Sequence, residues 1–290
     1  MSLYNNELCV DLRFNDEFEN WCQVFAAFIP DDARNEKADY VYRVQRDIFY
    51  NEIKKHSDRI AMCSNTDDIT NASKSRRCAG IFAVEGGAVL CGDLNRIKML
   101  AKDNVKILTL CWNGENELGY GQNENKGLKL LGRQAIRELE KNNIIIDVSH
   151  LSDRGFYDVL DNASKPFVAT HSNSRTVCNV GRNLTDDQLL SIKSVGGIVG
   201  INFFKAFLSD KDAGLYDIIK HLDYMLSLGL ENNISIGTDF DGADICSGIN
   251  RVCDMTALYD LLIRSGINEN VADKIFYLNG FNFFVNHEKQ

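Results

Sequence analysis

IIIDVSHLSDRGFYDVLDNASKPFVATHSNSR, residues 144–175, decides the fold. Two short apolar runs, Ile144 to Val148 and Pro166 to Ala169, each lead through a small hydroxyl residue to a histidine, His150 and His171. Between them, Asp153 to Ala163 is helical in character, with Phe156, Tyr157, Val159 and Leu160 as its apolar face. This is a strand, helix, strand unit with a histidine at the carboxyl end of each strand, the end at which parallel α/β folds place their chemistry. The chain of 290 residues has only five histidines, so two in matching positions of consecutive units mark a candidate site.

Working outward, apolar runs suited to strands lie near 8–14, 60–63, 79–85, 105–111, 143–149, 166–170, 196–203 and 233–239. Helical patterns separate nearly all of them. Asp16 to Ile29 reads as an amphipathic helix carrying Phe18, Trp21, Phe25 and Phe28, and further helices are expected over about 35–55, 93–103, 128–141, 186–195 and 215–229, with two near the C-terminus. Strict alternation implies parallel pairing. Eight such units favour an α/β fold of the (β/α)8 barrel type, with residues 1–290 as one barrel domain.

The composition narrows the function. Lys and Arg number 32 against 41 Asp and Glu, a net charge of -9 that disfavours nucleic acid or an anionic membrane as partner. The chain has no apolar run of about 18 residues, and MSLYNNELCVDLRF lacks the marks of an export signal, so a soluble protein is expected. Nine dispersed cysteines without a Cys-x-x-Cys pair read as reduced thiols of the cytoplasm, Cys111 included.

On a barrel, the carboxyl-end rim presents Arg13 and Asn15 from the first strand, Glu85 from the third, His150 from the fifth, His171 from the sixth and Asp239 from the eighth. A carboxylate with two imidazoles suits zinc or a similar divalent ion, and a further carboxylate such as Asp239 can take a proton from the attacking water. Each residue also has a plainer reading. Glu85 before Gly86 and Gly87 can simply open a turn, Asp239 and Asp241 can form an Asx pair, Arg182 can be a solvated or capping group, and Trp112 can be packing.

The segments VEGG (84–87), LTLCWNGENELGYG (108–121), residues 127–160, SKPFVATHSNSRTVCNVGRNLTDDQL (164–189), GGIVGINFF (196–204) and SIGTDFDG (235–242) together resemble the membrane dipeptidase (renal dipeptidase) family of zinc metallopeptidases, a branch of the amidohydrolase-type barrels. The resemblance implies a hydrolase acting on a dipeptide or similar small amide. It implies Glu85, His150 and His171 as metal ligands, Asp239 as the acid/base, Arg182 as the anchor of the substrate carboxylate, Trp112 at the substrate, and homodimers among relatives.

The resemblance also suggests a departure. The family's first strand carries a His-x-Asp pair that binds a first zinc, and the stretch taken as its counterpart is Asp11-Leu12-Arg13-Phe14-Asn15. Arginine does not ligate a metal and asparagine is a weaker ligand, so a single Zn2+ is expected, with Arg13 pairing with Glu85 in the other cation's place. Two alternatives stay open: a non-catalytic dipeptidase-like binding protein, and a single-metal amidohydrolase or deacetylase acting on another amide.

Overall fold

The alternating runs resolve, in the computed structural model, into strands separated by helices; residues 2–4 and 7–289 are described. The strands are β1 Cys22–Phe28, β2 Ile60–Met62, β3 Cys78–Glu85, β4 Val105–Thr109, β5 Ile145–Asp147, β6 Val168–Ala169, β7 Ile198–Ile201 and β8 Ile234–Ile236. The chain forms two compact units, one of Cys22–Val168 and one that joins residues up to Trp21 with Ala169–Lys289.

In the first unit every strand pair is parallel. β1 runs along β3 from Cys22 beside Ala79 to Phe28 beside Glu85; β2 pairs with the start of β3, and β4 pairs with its second half. β5 follows on β4, and Val168 joins Asp147 of β5. Seven of the eight residues of β3 (CAGIFAVE) are buried, the continuous apolar run that a central parallel strand requires. Helix Asn35–Lys55 covers it with Tyr42 and Phe49, whose rings lie 6.4 and 4.7 Å from that of Phe82.

In the second unit β7 and β8 are parallel, Val199 beside Ile234 through Ile201 beside Ile236, and Ser172 beyond β6 donates to the Gly200 carbonyl at 2.8 Å. Helix Asp186–Ser194 starts on a reciprocal cap between Thr185 and Gln188.

Helix Leu215–Ser227 carries His221 fully buried. Its Nδ1 accepts from the Ser174 amide at 3.2 Å and its Nε2 faces the Leu208 carbonyl at 3.1 Å, the pattern of a neutral ring protonated on Nε2. Burial pushes its pKa from 6.5 down to about 4. A depressed histidine pKa means that the unfolded chain binds the proton more readily. The stabilisation is therefore complete above about pH 6.5 and is lost as the pH falls toward 4. The urea midpoint should drop across that window, and His221→Gln should flatten the drop; an unchanged slope in the variant would assign the acid sensitivity elsewhere.

The start of the chain corrects two expectations. Residues 8 to 14, expected as the first strand, lead instead into a 3-10 turn, Leu12–Glu17, capped by Asp11, whose carboxylate accepts from the Arg13 amide at 3.0 Å. The Arg13 guanidinium folds back on that same carboxylate, with Nη2 at 2.5 Å and Nε at 2.9 Å. Residues 16 to 29, expected as a helix, contain β1. Their aromatics do not form one stripe: Phe18 packs on Trp21 at 5.3 Å, whereas Phe25 packs on Phe49 at 5.4 Å and Phe28 on Trp112 at 4.9 Å. Arg13 and Asn15 therefore do not stand at the carboxyl end of a strand. The reading of this pair as substitutes for a strand-end His-x-Asp loses its positional basis, and the expected role of Arg13 as a stand-in cation beside Glu85 loses its own. Nor was the helix Thr66–Lys74 anticipated; Asn65 caps it.

Candidate metal centre

Glu85 ends β3, where the chain must turn sharply. Gly86 takes φ +121°, and a Cβ there would meet the Ile29 carbonyl oxygen at 2.8 Å; at Gly87 it would meet the Leu110 oxygen at 2.4 Å. Glycine is the residue that allows both the conformation and the approach. The amides of Gly86 and Gly87 donate to the carbonyls of Thr109 and Leu110, tying the turn to the end of β4 and fixing the point from which Glu85 projects.

His150 follows β5, in the left-handed region at φ 70°, an uncommon conformation for a non-glycine residue and one that collects at functional sites. Its ring is buried, with Nε2 2.9 Å from Glu85 Oε1. On the other side Nδ1 lies 2.9 Å from Asn113 Oδ1, an oxygen that also accepts from Gln122 Nε2 at 3.0 Å. Since Asn113 presents an acceptor, Nδ1 carries the proton in the neutral ring. Nε2 then turns its lone pair toward the Glu85 carboxylate. Carboxylate oxygen with imidazole nitrogen is a donor set that suits zinc. Trp112 stands 6.0 Å from the His150 ring, with Phe28 edge-on to it, so these two aromatics wall this side.

In the second unit, His171 follows β6, and its Nδ1 is engaged by Thr170 Oγ1 at 2.7 Å. Arg182 is 4% exposed. Its guanidinium donates to Ser172 Oγ at 3.1 Å and to the His171 carbonyl at 3.2 Å, and lies 5.5 Å from the Phe207 ring centre. Asp239, just past β8, is left-handed at φ 61°, and its Oδ2 accepts from Asn202 Nδ2 at 3.1 Å.

Glu85 thus meets His150, and Arg182 meets the His171 carbonyl, while Arg13 and Asn15 belong to the turn that Asp11 caps. Two supporting residues escaped the sequence reading, Asn113 and Asn202. Asn113 lies in the polar loop directly after Trp112. Asn202 ends the GGIVGIN run at the one late strand for which no rim residue had been named.

Comparison with known proteins defines the class first. Over 97% of this chain and 89% of its own, the metallopeptidase structure titled dipeptidase AC superposes with a TM-score of 0.92 at 26% identity. A metallopeptidase from Rhodobacter sphaeroides, solved with a phosphinate mimic of the dipeptide L-Ala-D-Ala, superposes over 97% of this chain and 91% of its own with a TM-score of 0.91 at 25% identity. The fold is that of the parallel (β/α)8 metal-dependent hydrolases. The family model for membrane dipeptidase (peptidase family M19) matches residues 12–289. The chain belongs to the membrane dipeptidase family and is a metal-dependent hydrolase of dipeptidase type. Among curated relatives, a Klebsiella pneumoniae protein encoded 5' of pqqA is 31% identical over 240 residues, 78% of this chain and 89% of its own. No helix among the described residues is long and apolar enough to cross a membrane.

Proposed function

We propose that this chain, as one barrel domain, hydrolyses a dipeptide or a similar small amide with one divalent ion, zinc, held by Glu85, His150 and His171. The observation that carries the reading lies within one unit: His150 Nε2 stands 2.9 Å from Glu85 Oε1, two donors of the kind that hold zinc.

When bound there, the ion would supply Lewis acidity and lower the pKa of its water. Asp239 takes the proton from the attacking water and returns it to the leaving amine. Arg182 binds the substrate's free carboxylate, for which a planar guanidinium with two parallel donors is suited. Trp112 and Phe28 form the apolar wall against which the substrate lies. The place of action is the cytoplasm, a reading supported by nine free cysteines, with thiols such as Cys63 pushed up to about 11 and Cys22 to about 12 by burial.

The test is ion content per chain after chelator-free purification, together with turnover of a dipeptide panel and its C-terminally amidated counterparts. One ion, with turnover lost on amidation, is the expected result. Two ions would overturn the single-ion reading. Neither ion nor turnover would leave the non-catalytic alternative, and equal turnover of the amidated panel would remove Arg182 from its role and favour the other-amide alternative.

A further inference from the structure

The geometry points to Asn202 as the positioning residue of this reaction, holding the Asp239 carboxylate in place from the end of β7; the inference rests on the reading of Asp239 as the base. Asn202 is fully buried, and each polar atom of the residue is engaged. Its backbone amide donates to Asn173 Oδ1 at 2.9 Å, while Asn173 Nδ2 donates back to its carbonyl at 3.0 Å, so a second buried amide grips the main chain of Asn202 from both sides. The side-chain Oδ1 accepts from the Phe204 amide at 2.6 Å. That bond decides the orientation of the amide group. Nδ2 must point the other way, and it donates to Asp239 Oδ2 at 3.1 Å and, more weakly, to the His171 carbonyl at 3.4 Å.

One side chain therefore ties the backbone of a proposed ligand just past β6 to the carboxylate of the proposed base beyond β8. The choice of asparagine follows from charge. Asparagine supplies a neutral donor here, whereas an aspartate at 202 would set a second carboxylate against that of Asp239. The backbones of Asp239 and Asp241 are both in the left-handed region. Asp241 completes the arrangement. Its carboxylate accepts from the amides of Cys9 and Val10 at 2.8 and 3.2 Å, which anchors the loop while Asn202 aims the side chain.

The experiment is a double-mutant cycle on the metal-loaded enzyme. In the wild-type background Asn202→Leu, which keeps the bulk and removes the donor, should lower kcat by about ten- to a hundredfold, the worth of one hydrogen bond to a charged group. KM and ion content should stay the same. In an Asp239→Asn background the same change should cost almost nothing, because the group it serves no longer takes the proton. An equal loss in both backgrounds, or a loss of ion, would make Asn202 merely structural and overturn the proposal. Should the leucine variant fail to fold, Asn202→Asp keeps the acceptor toward Phe204 and carries the same comparison. Full turnover by Asp239→Asn alone would instead defeat the reading of the base, an outcome distinct from an Asn202 variant that stays active while Asp239→Asn is dead.

Discussion

The His150→Ala protein is expected to purify without its ion and without turnover. His150 is one of three proposed donors, and with three protein ligands no spare remains to hold the ion when one is removed. The loss should exceed that at its supporting residue: Asn113→Ala, which frees the ring and its tautomer, should weaken metal affinity by about 10- to 100-fold while leaving the ligand itself in place. Metal analysis of the two variants after dialysis against a graded chelator checks the order. A His150→Ala protein that keeps a full equivalent of ion would show that the Glu85 and His150 pair, 2.9 Å apart, is an ion pair of the fold and not a metal site.

The second large effect is at Asp239. Asp239→Asn should retain its ion and its fold but lose about 10²- to 10⁴-fold in kcat, the usual worth of a general base. The substitution keeps the shape of the side chain, and Asn202 can still donate to the remaining carbonyl oxygen, so nothing structural is withdrawn. What disappears is the capacity to take a proton. Single-turnover measurements with excess enzyme separate this from impaired binding, since KM should hardly move. If turnover of the Asn variant stays near that of the wild type, the proton goes elsewhere and the strand-eight carboxylate is a structural group.

The strength of the β5 to β6 reading comes from local physics. The segment from Ile145 to Ala169 contains two buried runs, and Ser152 begins the intervening helix by accepting from the Gly155 amide at 3.0 Å, so each boundary is written into neighbouring residues. The histidines stand just past strand ends because the alternation of strand and helix leaves them there. The glycines after Glu85 are likewise legible, since only a tight approach explains two in succession at a strand end.

The start of the chain behaves differently. Phe18, Trp21, Phe25 and Phe28 recur at helical spacing, yet Cys22–Phe28 is a strand, because its backbone partner, Ala79 to Glu85, lies more than fifty residues along the chain. Pairing over that distance outweighs local periodicity. The same misreading carried Arg13 and Asn15 to a strand end, whereas a local cap, the Asp11 carboxylate on the Arg13 amide, turns the chain there.

By itself, the sequence determined the parallel α/β class, the candidate ligands Glu85, His150 and His171, and the candidate base Asp239, because strand ends and residue chemistry are local properties. Tertiary structure alone decided that Cys22–Phe28 is a strand, that Arg13 belongs to Asp11, that Asn113 lies against His150 Nδ1, and that Asn202 reaches Asp239. Each of these is a contact between residues whose separation in sequence carries no signal, or a competition between local bonds that only the folded backbone settles.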